Sequence, residues 1–215
     1  MFDFASLSQF EAPYRHWLGK AVSDEVVRAI NAAWPEKADS RWIHEQGSYA
    51  KKSAILFPKK LPEAAHLLAS HMYSAQVCEA LSKLTGINLH PDPWFTEGPE
   101  RPLLGGGLHE IHPGGLLRMH IDFNKHPTGL VRCLNLLIYL NEKWKPEWGG
   151  GLSLAGEKSI QPTAGMTAIF ETTPESWHGH PEPLACPQGI TRRSLALYYY
   201  THGIDAERAT TVYRK

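Results

Sequence analysis

The sequence has few cysteines, no long apolar run and no net charge, and each absence excludes a class of protein. Cys78, Cys133 and Cys186 are the only cysteines in 215 residues, which is too few for a disulfide framework and too dispersed for a cysteine zinc motif. The longest apolar run, 134–140, is interrupted by Asn135 and is far shorter than a membrane span. Positive and negative side chains balance at 22 each, so no overall field would attract nucleic acid or an anionic membrane.

Targeting signals, repeats and low-complexity segments are also lacking. The first residues, 1–4, carry no basic segment followed by an apolar one, so we expect no secretory signal. Together with the sparse, odd set of cysteines, this predicts a cytoplasmic protein without a membrane or nucleic-acid partner. The length suits a single domain over 1–215, and the sequence gives no indication of an oligomeric state.

The first hundred residues show helical patterns but no chemical motif. Ser23 is an expected N-cap, and the apolar spacing that follows predicts a helix that ends before Pro35. Residues 62–85 predict one or two further helices, with Gly86 as C-cap. We therefore expect 1–100 to form a helical or mixed cap and buttress.

From residue 103 onward the sequence consists of short β-like runs separated by turn residues. About seven β-like runs separated by Gly, Pro and Asn predict a sandwich or barrel, which gives an α+β protein with a mainly β core over 101–203 and a C-terminal tail over 204–215. The runs are 108–112, 116–123, 131–140, 152–154, 166–171, 177–180 and 192–201.

The run 117–123 carries the first candidate site residues. Side chains two apart on a strand point to the same face, so His120 and Asp122 would leave the sheet side by side. A third metal ligand can come from His178 or His180, which are also two apart, so spacing alone does not choose between them. Two imidazoles and one carboxylate form the facial triad of non-haem Fe(II) oxygenases.

The last β-like run offers a group that binds carboxylates. Arg192 and Ser194 share a face, so a guanidinium and a hydroxyl would lie together. The planar fork of an arginine meets a carboxylate through two hydrogen bonds. Arg193 would point the other way, and we expect it to be solvated.

These residues, in this order, resemble the Fe(II)- and 2-oxoglutarate-dependent dioxygenases, and within them the prolyl-4-hydroxylase-like branch. The resemblance covers roughly residues 100 to 203. It implies a double-stranded β-helix, or jelly roll, buttressed by the N-terminal helices. The matching segments are His120-x-Asp122, His178, Arg192-x-Ser194, and the residues of 138–141, 149–154 and 162–170.

The resemblance also implies roles for individual residues. His178 becomes the third iron ligand beside His120 and Asp122, because a small residue, an apolar slot and a nearby proline typically follow the ligand; His180 takes that apolar slot as packing or as a residue behind the ligands. Arg192 and Ser194 would bind the distal carboxylate of 2-oxoglutarate.

Three further residues are candidates for the cosubstrate pocket. Tyr139 matches a tyrosine that hydrogen-bonds the same distal carboxylate in related hydroxylases. Asn135 lies four residues earlier on the same face and could line the pocket. His112 stands where relatives commonly place a tyrosine near the cosubstrate, although a structural histidine fits equally.

The activity that the resemblance implies is hydroxylation of an unactivated C–H bond with release of succinate and CO2. Fe(II), 2-oxoglutarate and O2 would be required, and ascorbate is a candidate for keeping the iron reduced. We expect an amino-acid or peptidyl, prolyl-like side chain as substrate, bordered by loops around Trp94, His126, Trp144 and Trp148. The alternatives are another small metabolite, a cupin-like metal-dependent hydrolase or isomerase, and a non-catalytic binding module.

Overall fold

The computed structural model describes residues 2–98, 100–203 and 208–214. Within them, two antiparallel sheets form the core and α-helices cover one side of it. The helices are α1 (Asp24–Ala32), α2 (Glu63–Met72), α3 (Ala75–Thr85) and α4 (Pro93–Thr96). The strands are β1 (Ser8–Phe10), β2 (His16–Lys20), β3 (Ile43–Gln46), β4 (Lys51–Ile55), β5 (Gly107–Ile111), β6 (Leu117–Ile121), β7 (Val131–Tyr139), β8 (Leu152–Leu154), β9 (Lys158–Ile160), β10 (Met166–Glu171), β11 (His178–His180), β12 (Arg192–Thr201) and β13 (Val212–Tyr213).

The larger sheet has eight strands in the order β1-β2-β10-β7-β12-β5-β4-β3. The smaller sheet has five strands in the order β13-β6-β11-β8-β9. Consecutive strands of the chain are mostly not neighbours, which is how a jelly roll distributes its strands over two sheets. The predicted mainly β fold with an antiparallel core is confirmed.

Successive side chains of β7 point alternately into the hydrophobic core and into a cavity between the sheets. Leu134, Leu136 and Ile138 point to the side covered by the helices and belong to the main hydrophobic core. Asn135 and Leu137 point to the opposite side and line a cavity between the sheets. The apolar run of β7 is therefore buried on both faces, which explains why it lacks the alternation of a half-exposed strand.

The helices begin and end as the sequence predicts. The Ser23 hydroxyl accepts a hydrogen bond from the Val26 backbone N–H at the start of α1. Gly86 ends α3 in the left-handed conformation at φ 73°. Their buried faces pack against the outer side of the larger sheet.

The N-terminal hundred residues do more than buttress the core. Strand β2 pairs with β10 and β4 pairs with β5, so these residues extend the larger sheet at both ends. Part of the predicted tail 204–215 also joins a sheet, because β13 pairs with β6 beside His120; residues 204–207 and 215 lie outside the described ranges. The single-domain organisation stays a prediction. Among the described residues, no helix has the length and apolar character needed to cross a membrane.

Candidate metal centre

Strands β6 and β11 bring two histidines and an aspartate to one point. His120 and His178 face each other in the register of these strands, and Asp122 follows directly after β6. One ligand atom from each of the three residues lies within 4.8 Å of the other two. His120 Nε2 is 3.5 Å from Asp122 Oδ1, and His178 Nε2 is 3.3 Å from Asp122 Oδ2.

Backbone carbonyls fix the orientation of both imidazoles. His120 Nδ1 lies 2.8 Å from the Arg118 carbonyl, and His178 Nδ1 lies 2.9 Å from the Ser176 carbonyl. A carbonyl only accepts, so each Nδ1 carries the proton and each Nε2 presents its lone pair to the centre. This arrangement is the usual support behind metal-binding histidines.

Arg132 and Asn135 hold the third ligand. Arg132 Nη2 and Asn135 Nδ2 each donate to Asp122 Oδ2 at 2.8 Å. Arg132 Nε also donates to Asn135 Oδ1 at 2.8 Å, so the two donors support each other. The carboxylate is thereby fixed while Oδ1 keeps its lone pairs for a metal.

The electrostatics of the site favour the protonation states that a metal needs. Burial alone would raise the pKa of Asp122, but Arg132, His178 and His120 hold it well below its usual range. Burial and then the neighbouring His178 lower the pKa of His120. A charged carboxylate and a neutral imidazole are therefore present near neutral pH.

The donor set fits a divalent iron. Ligand atoms that share one ion at bonds of about 2.1 Å and right angles lie about 3 Å apart. The 3.5 Å between His120 Nε2 and Asp122 Oδ1 is close to that spacing, and one ligand atom from each of the three residues lies within 4.8 Å of the others. Two imidazoles and one carboxylate on one side leave positions for other ligands on the cavity side, as in non-haem iron sites.

A bulge in β11 separates His178 from His180. His178 lies opposite His120, but His180 lies opposite Leu117, because the register shifts between them. Gly179 permits this close approach: a Cβ there would lie 2.7 Å from the Leu117 carbonyl oxygen and 2.8 Å from that of Arg118. Of the two histidines, only His178 belongs to the cluster with His120 and Asp122.

Next to this cluster lies a cavity of about 130 Å³ between the sheets. Arg192 and Ser194 line it together with His120, Asp122 and His178. The Arg192 side chain is buried, donates from Nε to the Gly150 carbonyl at 2.6 Å and lies 3.4 Å from the Tyr139 hydroxyl through Nη2. Gly150 has a φ of 71°, a left-handed conformation that favours glycine.

The charge on Arg192 has no carboxylate partner within ion-pair distance among the described residues. Burial lowers its pKa, and Tyr139 opposes that shift. An unpaired buried charge is costly, so this guanidinium indicates an anionic ligand in the cavity. Tyr139 lies opposite Ser194 in the sheet register, next to the guanidinium.

Two residues predicted for the cosubstrate pocket make other contacts. Asn135 lines the cavity, but its amide is occupied by Asp122 and Arg132. His112 does not line this cavity; its Nε2 lies 3.1 Å from Glu110 in a separate surface pocket. Strand β5 ends at Ile111, which faces the cavity, so the next side chain points to the other side of the sheet.

Other expectations from the sequence need correction. Arg193 is only partly solvated, since it donates to Asn31 and Thr191 and stacks on Trp34. His126 is buried, packs against Trp94 and Tyr200, and is not among the described residues that line the cavity. The rings of Trp144 and Trp148 contact each other and pack on a small cluster of Ile111, Leu184 and Cys186.

Three residues that line the cavity were not predicted from the sequence, namely Arg132, Lys52 and Tyr213. Arg132 stands in the apolar stretch that forms β7, and its pairing with Asp122 becomes visible only in the fold. Lys52 on β4 lines the cavity, and Tyr213 on β13 lines it with its ring 5.5 Å from that of His120. Lys52 lies outside the strands that the sequence predicts, so no sequence signal indicated its place in the cavity.

Two antiparallel sheets that hold two histidines and a carboxylate beside an open cavity define the class of non-haem iron oxygenases. Within that class, residues 106–200 match the sequence profile described as the 2OG-Fe(II) oxygenase superfamily. The matched segment holds His120, Asp122, His178, Arg192 and Ser194, and it identifies this part of the chain as an oxygenase domain of the kind that uses Fe(II) and 2-oxoglutarate. No curated protein matches it significantly by sequence.

Solved structures with the same fold include enzymes of different origin. A prolyl-4-hydroxylase from Pseudomonas putida superposes with a TM-score of 0.61 at 18% identity, over 92% of this chain and 94% of that one. HygX from Streptomyces hygroscopicus, with nickel and 2-oxoglutarate bound, gives 0.54 at 11% identity over 93% and 92%. A viral collagen prolyl hydroxylase from Paramecium Bursaria Chlorella virus-1, in complex with 2-oxoglutarate, gives 0.52 at 12% over 84% and 92%. These likenesses establish a prolyl hydroxylase-like fold.

Proposed function

We propose that His120, Asp122 and His178 bind Fe(II), that Arg192, Ser194 and Tyr139 bind the distal carboxylate of 2-oxoglutarate, and that the enzyme hydroxylates an amino-acid or peptidyl side chain. The observation that carries the cosubstrate assignment is the buried Arg192 guanidinium. It lines the same cavity as the three metal ligands and lacks a carboxylate partner among the described residues.

Arg192, Tyr139 and Ser194 would each contribute hydrogen-bond donors to one carboxylate of 2-oxoglutarate. Arg192 offers parallel N–H donors, and its Nε is anchored on the Gly150 carbonyl, so the remaining donors are oriented before the ligand arrives. Tyr139 adds a hydroxyl 3.4 Å from the guanidinium, and Ser194, opposite Tyr139 in the sheet register, lines the same cavity. Charge and hydrogen bonds together make the pocket selective for a carboxylate.

Fe(II) held by these residues, together with 2-oxoglutarate and O2, would supply the oxidant for an unactivated C–H bond, with succinate and CO2 as the other products. Arg132 and Asn135 keep the Asp122 carboxylate in one orientation throughout. The apolar side chains of Ile111, Leu137 and Leu152 line the cavity and limit the access of water. His120 and His178 would present their Nε2 atoms to the metal, because backbone carbonyls accept their Nδ1 protons.

The proposed substrate class draws support from the neighbouring structures. Two of them are prolyl hydroxylases, whereas HygX was also solved with hygromycin B bound. This fold therefore serves both amino-acid side chains and small molecules, and a small metabolite is the second candidate for this chain. The cytoplasm stays our proposed location, consistent with three cysteines that are unpaired and buried.

The test of this proposal is succinate formation and product analysis by mass spectrometry. Free amino acids, proline-containing peptides and small metabolites are supplied with Fe(II), 2-oxoglutarate, O2 and ascorbate. We expect one class to give succinate and a product heavier by one oxygen atom, and Arg192→Ala to lose this activity. Succinate without any hydroxylated product would contradict the substrate class. Turnover that is independent of 2-oxoglutarate and insensitive to Arg192→Ala would support a cupin-like hydrolase or isomerase.

A further inference from the structure

Besides Arg192, Lys52 is a second cation in the cavity that has no carboxylate partner among the described residues, and nothing in the proposed cofactor set uses it. The residue lies on β4, two strands from β12, and its side chain is half-buried. Continuing the register of β4 and β5 by one residue places Lys52 opposite Ile111, which in turn lies opposite Arg192. The backbones of Lys52 and Arg192 are therefore two strand spacings apart, about 10 Å.

No carboxylate among the described residues lies within ion-pair distance of the Lys52 ammonium. The acidic groups that act on it from a greater distance are Glu45 and Asp122. Glu45 is the exposed cross-strand partner of Lys52 in the β3–β4 hairpin, and Asp122 is already paired with Arg132. The ammonium therefore faces the cavity without direct compensation.

His180 provides a second unsatisfied group on the opposite wall. Its side chain is 3% exposed, it lines the same cavity, and neither ring nitrogen has a hydrogen-bond partner among the described residues. A buried imidazole without partners costs free energy unless a ligand supplies them. Lys52 and His180 thus border the same space from the two sheets.

In the proposed complex, the cosubstrate has no carboxylate left to pair with Lys52. 2-Oxoglutarate brings two carboxylates: one would chelate the iron and the other would meet Arg192. A third anionic group is needed to match Lys52, and only the substrate remains to supply it. Resting on the function proposed above, we infer that the substrate carries a carboxylate, which binds Lys52 and His180 while the reacting C–H bond faces the iron.

A carboxylate can come from a free amino acid or from an acidic side chain, and matched probes separate the two. L-Proline with L-prolinamide and L-leucine with L-leucinamide represent the free acids. N-acetyl-glutamyl amide with N-acetyl-glutaminyl amide represents the side chain. Binding of each probe is measured without oxygen, as the shift of the visible charge-transfer band of the Fe(II) and 2-oxoglutarate complex.

In the wild-type enzyme we expect at least one acid to bind about tenfold or more tightly than its amide, since a charged hydrogen bond is lost in the amide. Lys52→Met should reduce this preference to within about twofold, and Lys52→Arg should retain it. The affinity for 2-oxoglutarate should stay the same in Lys52→Met. Glu45→Gln is the control for the hairpin and should leave the acid preference intact.

Several results would overturn the inference. The first is an acid preference that Lys52→Met does not reduce. The second is that the wild-type enzyme binds no acid more tightly than its amide. The third is that Lys52→Met loses as much 2-oxoglutarate affinity as Arg192→Met. The last result would make Lys52 a cosubstrate residue. A wild-type enzyme without the charge-transfer band would reject the proposed function itself, whereas a band without acid preference would reject this inference alone.

Discussion

Arg132 donates from Nη2 to Oδ2 of Asp122 at 2.8 Å, in an ion pair that is almost fully buried. The guanidinium carbon also lies 3.2 Å from the centroid of the Tyr198 ring. Burial is compensated here because the guanidinium has a carboxylate, an amide and an aromatic face as neighbours. The pair fixes the carboxylate of a metal ligand from behind.

Removal of this guanidinium should weaken metal binding and the fold together. In Arg132→Met, Asp122 keeps only the Asn135 amide, so we expect metal affinity to fall about 10- to 100-fold. The free energy of unfolding of the metal-free protein should fall by about 3–5 kcal/mol, since one charge of a buried pair is left alone. Calorimetric titration with Mn(II) and urea unfolding measure the two effects.

Arg118→Met is the matched control, because Arg118 lies on the same strand as His120 but is exposed and contacts only the Ser48 carbonyl through its side chain. It should leave Mn(II) affinity unchanged. Equal losses in both variants would show that strand β6 is sensitive to any change of charge, and that Arg132 has no special role.

Arg192 and its neighbour provide a second pair of variants. Arg192→Met should raise the dissociation constant of 2-oxoglutarate at least about thirtyfold, because truncating one partner of a buried charge pair costs about 2 kcal/mol or more. Arg193→Met removes a guanidinium that contacts Asn31 and Trp34 on the other side of the sheet and should leave that constant unchanged. Titration of the anaerobic Fe(II) protein measures both; similar effects in the two variants would contradict the assignment.

Gly179 is predicted to control the position of His178. In Gly179→Ala the new methyl group would meet the carbonyl oxygens of Leu117 and Arg118 at 2.7 and 2.8 Å, so β11 must move away from β6. We expect loss of most metal affinity in Mn(II) titrations. Gly47→Ala, at an exposed hairpin position where a Cβ has 3.7 Å of room, is the control and should bind metal normally. Normal affinity in Gly179→Ala would disprove the close-approach argument.

His109 should make the metal-free protein sensitive to acid. Burial, followed by the charge of Lys52, lowers its pKa to about 3. As the pH falls below about 6.5, His109 binds a proton in the unfolded chain but stays neutral in the native protein. The free energy of unfolding therefore falls by up to about 1.4 kcal/mol per pH unit. His109→Gln removes that proton uptake and should flatten the decline in urea unfolding experiments. Above about pH 7.5 the two proteins should show parallel curves; parallel curves at all pH values would contradict the prediction.

The sequence predicts well that His120 and Asp122 lie side by side, because their spacing is local. His120 and Asp122 are two apart on one strand, and strand geometry alone places them together. The choice between His178 and His180 needed the family resemblance, since it depends on a bulge at Gly179 that pairing with Leu117 produces. Arg192 and Ser194 were likewise predictable from alternation along one strand.

What the sequence could not provide are contacts between distant strands. Arg132 pairs with Asp122 across ten residues, and Lys52 reaches the cavity from a strand in the first hundred residues. Tyr213 was assigned to a tail, yet β13 pairs with β6 beside His120. His112 was assigned to the pocket, but strand β5 turns it to the other side, next to Glu110.

The central claim is that His120, Asp122 and His178 bind an Fe(II) that 2-oxoglutarate chelates. It is tested most directly by adding Fe(II) and 2-oxoglutarate to the anaerobic protein and recording the visible spectrum. We predict the weak metal-to-ligand charge-transfer band of chelated 2-oxoglutarate in the wild type and its loss in His120→Ala. Metal binding without this band, or a band that persists in His120→Ala, would contradict the account.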